Sequence, residues 1–406
     1  MTCSPISARI VLMGLVLVSS FSVSFGADEG SEPPAHEIKI DLRYRFENVD
    51  HASFGDDAHA STLRTALSYR TPRWRGWSVF LQAENIAGIP DDDGYNNVGR
   101  DGHGNGVTDR PVVADPTLTQ INQAYVRWSD DRVTATLGRQ EINLGDQRFV
   151  GAVAWRQNHQ SFDAVRIQWS ATPRLDVDYA FVTDVHRIFG DRVDASHHFL
   201  TVPIQWGSDR LGGKITAYGY LLDFDEAASL STLTTGVEWR GRAGRWSWEL
   251  DAAQQEDAAD NPREVDAGYL HGNATVGWET GGAKLAVSAD WESLEGGPEG
   301  RFQTPHATLH KFNGWTDLFL STPSLGLETT TLKVTCKKGP WSGLVAWLDH
   351  QAEFRSLDYG TEINGQLAWK SEWGQVFALK LASYDADRFG VDIDKLMFFT
   401  TYSFGN

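Results

Sequence analysis

The sequence predicts an all-β fold: a single transmembrane antiparallel up-and-down β-barrel of about 18 strands, with short periplasmic turns and long extracellular loops. Three observations predict it. Apolar and polar residues alternate with period two in segment after segment, short and long connections alternate down the whole chain, and tryptophans gather near the predicted strand ends.

The chain opens on a stretch that reads as a secretory signal peptide over residues 1–26. Arg9 gives the positive n-region, Ile10 to Val18 the apolar h-region, and Ser24 and Gly26 the small residues before a cut at Ala27. The expected barrel domain then covers 27–406. One cysteine, Cys336, remains in it, so no intramolecular disulfide is possible. No later stretch approaches eighteen consecutive apolar residues, which excludes transmembrane helices. The formal net charge of −18 argues against a nucleic-acid partner. It does not argue for solubility, because a membrane barrel conceals its apolar half by alternation.

In chain order, the first strand is "EIKIDLRYRFENVD". Ile38, Ile40, Leu42, Tyr44 and Phe46 share one face, and Lys39, Asp41, Arg43, Arg45 and Glu47 the other. Leu63, Thr65, Leu67 and Tyr69 then alternate with Arg64, Ala66, Ser68 and Arg70, and Val165, Ile167 and Trp169 with Ala164, Arg166 and Gln168. The pattern continues through Leu175–Phe181, Trp246–Leu250 and Leu285–Trp291, and ends in the aromatic strand holding Leu396, Phe398, Tyr402 and Phe404. No helical period competes with it. The connections supply the topology. "TPRWRG", "SDDR", "SATPR", "GSDRLGG", "GRAGR", "ETGGA", "KKGP" and "KSEWG" have turn chemistry or charge. Longer segments at 49–61, 87–117, 142–160, 185–196, 225–230, 255–264, 293–325, 351–358 and 385–393 lie between them. Eight short and nine long connections make eighteen strands with both chain ends on the short-turn side. A soluble sandwich or propeller also alternates its strands, but needs neither this asymmetry nor a girdle such as Trp77, Trp128, Trp169, Trp206, Trp239, Trp246, Trp278, Trp291 and Trp369.

Charge on the lipid side is costly, roughly 2–4 kcal/mol for a basic residue at the midplane, so the ionic parity must face the lumen. An eighteen-strand barrel is wide enough for an aqueous channel.

One segment is denser in unusual residues than the rest: "LGRQEINLGDQRFVGAVAWRQNHQSFDAVRI". With "LRYRFENVD", "TLHKFNGWTDLFL" and "SYDADRFGVDIDKL", it resembles the alginate-export family of bacterial outer-membrane barrels. The resemblance rests on Arg139-Gln140-Glu141, Gly145 to Arg148, Phe162-Asp163 and Arg166, then on His310-Lys311-Phe312 with Trp315 and Asp317, and on Tyr384 to Asp387 with Asp394-Lys395. It implies an arginine-rich constriction that passes a polyuronate. Guanidinium suits that task, since its planar fork meets a carboxylate bidentately and stays charged. The expected pore-lining residues are Arg43, Arg45, Arg64, Arg70, Arg127, Arg139, Arg148 and Arg166, with Asp41, Glu47, Glu141 and Asp163 holding them in place. The expected function is a passive channel for an anionic polysaccharide or saccharide. The alternative is a general or substrate-specific porin for small solutes with no part in polysaccharide export, which the small size of every short turn favours. Expected partners are the anionic saccharide, outer-membrane lipid and lipopolysaccharide, and the barrel-assembly machinery.

Three further motifs are weaker. Asp101, His103, Asn105, Gly106 and Asp109 fall at EF-hand-like offsets, but Val112 stands where the bidentate glutamate belongs, so a solvated loop is the expectation. His306 and His310 lack a third zinc ligand. His159 and Ser161 are too close along one strand to make a convincing hydrolase pair, and neither an enzyme nor a cofactor is expected.

Overall fold

The computed structural model describes residues 36–208, 210–298 and 300–405, so the expected signal peptide lies outside the described residues. Eighteen strands form one closed sheet. They are β1 (Glu37–His51), β2 (Ala58–Arg70), β3 (Trp77–Gly88), β4 (Leu118–Ser129), β5 (Val133–Gln140), β6 (Ser161–Thr172), β7 (Leu175–His186), β8 (Arg192–Gly207) and β9 (Leu211–Leu222). The second half comprises β10 (Thr232–Ala243), β11 (Trp246–Asp257), β12 (Asp266–Thr280), β13 (Ala283–Leu294), β14 (Leu327–Lys338), β15 (Trp341–Gln351), β16 (Asp358–Lys370), β17 (Val376–Ala386) and β18 (Ile393–Gly405). Each pairs antiparallel with its sequence neighbours, and β1 closes the ring on β18 from Lys39 opposite Gly405 to His51 opposite Ile393. Closure leaves no edge strand, which is how a sheet satisfies its backbone in lipid.

The eight short turns and nine longer loops fall in the expected alternation. The 49–61 and 185–196 segments are shorter than their polarity suggests, 52–57 and 187–191, because the strands extend further outward than the apolar alternation does. There the outward positions become polar, as at Asn48 and Asp50, yet the ladder hydrogen bonds persist.

Leu67, Val237, Leu250, Leu332, Val345, Ile363 and Leu381 are exposed on the outer surface. Trp77 faces Trp128, and Trp341 faces Trp369, across neighbouring strands at the short-turn end. Trp291 lies instead towards the long-loop end. A span bounded by such belts is what a bilayer requires.

The inner surface is less uniform than its sequence pattern. Towards the long-loop end the inward positions turn apolar: Phe162, Val182, Phe199, Tyr220, Tyr269, Leu327, Tyr384 and Met397 are all buried. They are covered by two long connections that fold into the barrel rather than away from it. Segment 141–160 brings Ile142, Leu144 and Val150 against Phe162 and Phe199, and segment 295–326 brings Phe302 and Phe319 against Tyr269 and Tyr384.

Candidate functional site

Where these two segments meet the wall, they form a buried ionic node. Arg43 and Arg45 lie two apart on β1, so both side chains point inward, and both grip one turn of the 141–160 segment. Arg43 donates to the carbonyls of Ala154 (2.9 Å), Trp155 (2.6 Å) and Arg156 (3.3 Å), and Arg45 to that of Trp155 (2.7 Å). The Trp155 ring is itself enclosed by cations. The Arg45 guanidinium lies 4.0 Å from its centroid and the Lys380 ammonium 3.9 Å, while His310 stacks on it at 3.9 Å. Lys380, from β17, also lies 3.6 Å from the Trp315 ring, so a fully buried lysine is held by two aromatic faces.

Lys380 Nζ donates to His310 Nε2 at 2.8 Å, because an ammonium has no acceptor to offer. His310 therefore carries its proton on Nδ1 and donates it to Asp317 Oδ1 at 2.8 Å. Asp317 also receives Arg156 and Lys395, each at 2.8 Å. Glu47 joins the same cations, with Arg156 and Lys395 both at 3.3 Å and Arg45 in direct contact. Asp115, from the 89–117 loop, reaches Arg45 at 3.4 Å. Burial alone would raise the Asp317 carboxyl, but Lys395, His310 and Arg156 hold it well below the usual range. Burial and the charge of Lys380 push the His310 imidazole well below its ordinary value.

Further anchors tie the loops to the wall and to each other. Arg148 meets Glu292 of β13 through Nε (2.6 Å) and Nη2 (3.0 Å), and reaches Thr304 at 3.1 Å. Glu362 of β16 accepts from the backbone of Trp315 and Thr316 and from the Thr316 hydroxyl. Gly314, at φ +93°, forms the turn that presents them, and an added Cβ there would meet that carboxylate at 2.4 Å. Glu362→Ala strands these buried donors at about 1–3 kcal/mol each. Its expected result is protease cleavage within 295–326 under conditions where the parent chain resists.

The expected pore-lining residues thus divide. Arg43, Arg45, Glu47 and Arg148 converge on the inward loops. Arg64 pairs with Glu84 (2.7 Å), and Glu141 with His159 (2.9 Å) and Asn122 (2.9 Å). Nearer the short-turn end, Arg166 pairs with Asp178, Arg70 with Glu37 (3.5 Å), and Lys39 with Asp41 (2.7 Å). Arg127 donates to Thr136 at 3.2 Å and lies over Tyr125. Arg139 and Asp163 depart from the expectation. They pair with each other at 2.9 Å but share the parity of Leu137 and Val165, both exposed outward, so they lie on the outer surface. The family resemblance drew both into the pore; strand parity, which their neighbours already displayed, puts them outside.

The sequence reading missed Trp155, Arg156, Asp317, Lys380, Lys395, Glu292 and Glu362 as parts of one site. One signal was available: Phe302, Phe312, Trp315 and Phe319 are too many aromatics for a solvated loop. In the 89–117 loop, Asn97 Oδ1 accepts from the backbone of Gly99 and Asn105, so asparagines organise it. Among the described residues no group of three or more His, Cys, Asp or Glu is placed to hold a metal ion. Ser161 is fully enclosed and its hydroxyl has no hydrogen-bond partner, while His159 bonds Glu141.

Comparison with known proteins gives two findings. A family model described as alginate export matches residues 35–281. Solved structures share the fold: Pseudomonas aeruginosa OpdK with vanillate has a TM-score of 0.67 at 12% identity, over 91% of this chain and 99% of that one. Acinetobacter baumannii OccAB2 reaches 0.71 at 12% identity, over 93% and 100% of the two chains. P. aeruginosa OccK9 (OpdG) reaches 0.68 at 13% identity, again over 93% and 100%. None of the curated proteins compared matches the sequence.

Proposed function

The chain belongs to the alginate-export family and is a channel-forming barrel of the bacterial outer membrane, and from that premise we propose that it passes small anionic solutes, of the size of a saccharide acid, through a lumen narrowed by its two inward loops. One observation carries this reading: the node at the narrowing holds five cations, Arg43, Arg45, Arg156, Lys380 and Lys395, against three carboxylates, Glu47, Asp115 and Asp317. Among the described residues Arg43 donates only to carbonyl oxygens; it remains partly exposed and stands opposite Arg64 in the ladder. Two facing guanidiniums with one dedicated acid between them, Glu84 on Arg64, favour an arriving anion.

Three of the arginines that would otherwise line a polyuronate track, Arg43, Arg45 and Arg148, are engaged in holding the loops, which favours small cargo over a polymer. In planar bilayers a salt gradient should give a reversal potential on the anion side. Arg43→Ala should lower the anion-to-cation permeability ratio about fivefold, the equivalent of ~1 kcal/mol for one charge near the path. Liposome swelling should admit monomeric uronic acids and exclude long oligomers. Cation selectivity in the parent channel overturns the anionic reading. Block of the current by polyuronate oligomers would return the polymer as cargo, the outcome that family membership supports.

A further inference from the structure

The outer face of β5 to β8 carries charge at a depth where the outward positions of β1 and β2 carry none. On β1 the outward positions run through Ile38, Ile40, Leu42, Tyr44 and Phe46 before the first polar residue, Asn48. On β5 they run through Val133, Ala135 and Leu137, and the next is Arg139. It stands opposite Asp163 in the ladder and meets it through two hydrogen bonds, 2.9 and 3.2 Å. His186 of β7 reaches the same carboxylate at 3.0 Å, and Val185, beside it, is buried on the inner side. Arg192 of β8 meets Asp184 at 3.2 Å and Asp194 at 2.7 Å. Two register shifts, between Asp163 and Ala164 and between Val182 and Asp184, bring these groups together on the outside.

Depth makes the Arg139–Asp163 end of this patch unusual. Arg139 is six residues above Val133, whose ladder partner is Trp169 of the inner belt. At a strand tilt near 40° that is about 15 Å, inside an apolar band about 25 Å tall. Acyl chains offer such groups nothing, and lipid headgroups lie further out. A covering surface with polar groups at the same depth must be protein.

We propose that this face is an interface between two copies of the chain in the outer membrane. The patch holds both signs, Arg139 and Arg192 beside Asp163, Asp184 and Asp194, so a two-fold contact sets arginines of one copy against carboxylates of the other. Towards the outer rim other strands present outward acids, such as Asp50, Asp385, Asp394, Asp349 and Glu328, and self-contact there would oppose like charges.

The test uses oxidative cross-linking in native outer membranes, in a Cys336→Ser background. Leu137→Cys, at a position 62% exposed on this face, is expected to give a disulfide-linked dimer of the chain. Val345→Cys, at a position 59% exposed on β15, is expected to stay monomeric. Adding Arg139→Leu with Asp163→Leu should reduce the Leu137→Cys dimer at least tenfold, and native mass spectrometry of the parent chain extracted in lipid discs should give twice the chain mass. A monomer at Leu137→Cys, equal cross-linking at Val345→Cys, or an adduct with a different protein overturns the interface between copies.

Discussion

Asp317→Asn should open the channel. The exchange keeps the shape of the side chain and removes the carboxylate that, alone among the described residues, touches Arg156, Lys395 and His310 together. Glu47 is then left to balance Arg156 and Lys395, while it shares Arg45 with Asp115. Removing one partner of a buried pair generally costs about 3–5 kcal/mol, because the remaining charge stays desolvated without compensation. Applied to the docked loops, that shifts their docking equilibrium by roughly two to three and a half orders of magnitude. The barrel itself should survive, since Asp317 belongs to no strand and the sheet closes without it. Single-channel records of Asp317→Asn are therefore expected to show larger and noisier conductance, and liposomes containing it should admit solutes that the parent excludes. A folded variant, verified by its heat-dependent electrophoretic mobility, with unchanged conductance and size limit would show that the node does not hold the loops.

The barrel was legible in the sequence because its cause is local. Leu67 faces lipid and Arg64 the lumen for a reason that a period of two displays directly, and each short turn carries its own Gly, Asp or Pro chemistry. The node was not legible, because its members come from β1, β17, β18 and three loops, and only closure of the sheet brings Glu47 to Lys395. The arginines illustrate the limit. Their number suggested a wall facing a polyanion, whereas Arg43, Arg45 and Arg148 each serve a loop from the same chain. Arg139 is the counter-case, since parity alone placed it outside and a family motif drew it into the pore. An inward-folding loop does leave a trace, namely apolar residues on both faces at the outer ends of strands. On β6, Phe162 is buried inside while Val165 is exposed outside.

Acid should weaken loop docking through two histidines that the fold keeps neutral. His310 has no room for a second proton, with Lys380 donating to Nε2 and Nδ1–H given to Asp317. His306 is buried with its Nε2 3.1 Å from that of His197. His197 Nδ1 accepts from the Asp223 amide, so its own proton sits on Nε2 and points at His306. Burial and these neighbours push both loop imidazoles well below their ordinary value. In an undocked loop each would titrate near 6.5. A depressed histidine means that the undocked form binds more protons, so docking is fully supported above about pH 6.5 and loses support as pH falls. With two such groups the docking constant should drop by up to about a hundredfold per pH unit below that point, or roughly 4 kcal/mol between pH 6.5 and 5. Asp317 does not offset this, because its carboxyl is held below the usual range and keeps its charge throughout that window. Arg156 stays charged as well, raised by Asp317 and Glu47 against the effect of burial. Open-state probability in bilayers should therefore rise between pH 7.5 and 5 with a steepness approaching two protons, and His306→Gln should reduce that steepness to about one. An open probability that stays flat across this range, with Asp317→Asn still opening the channel, would mean that the loops leave their seats without exposing either imidazole.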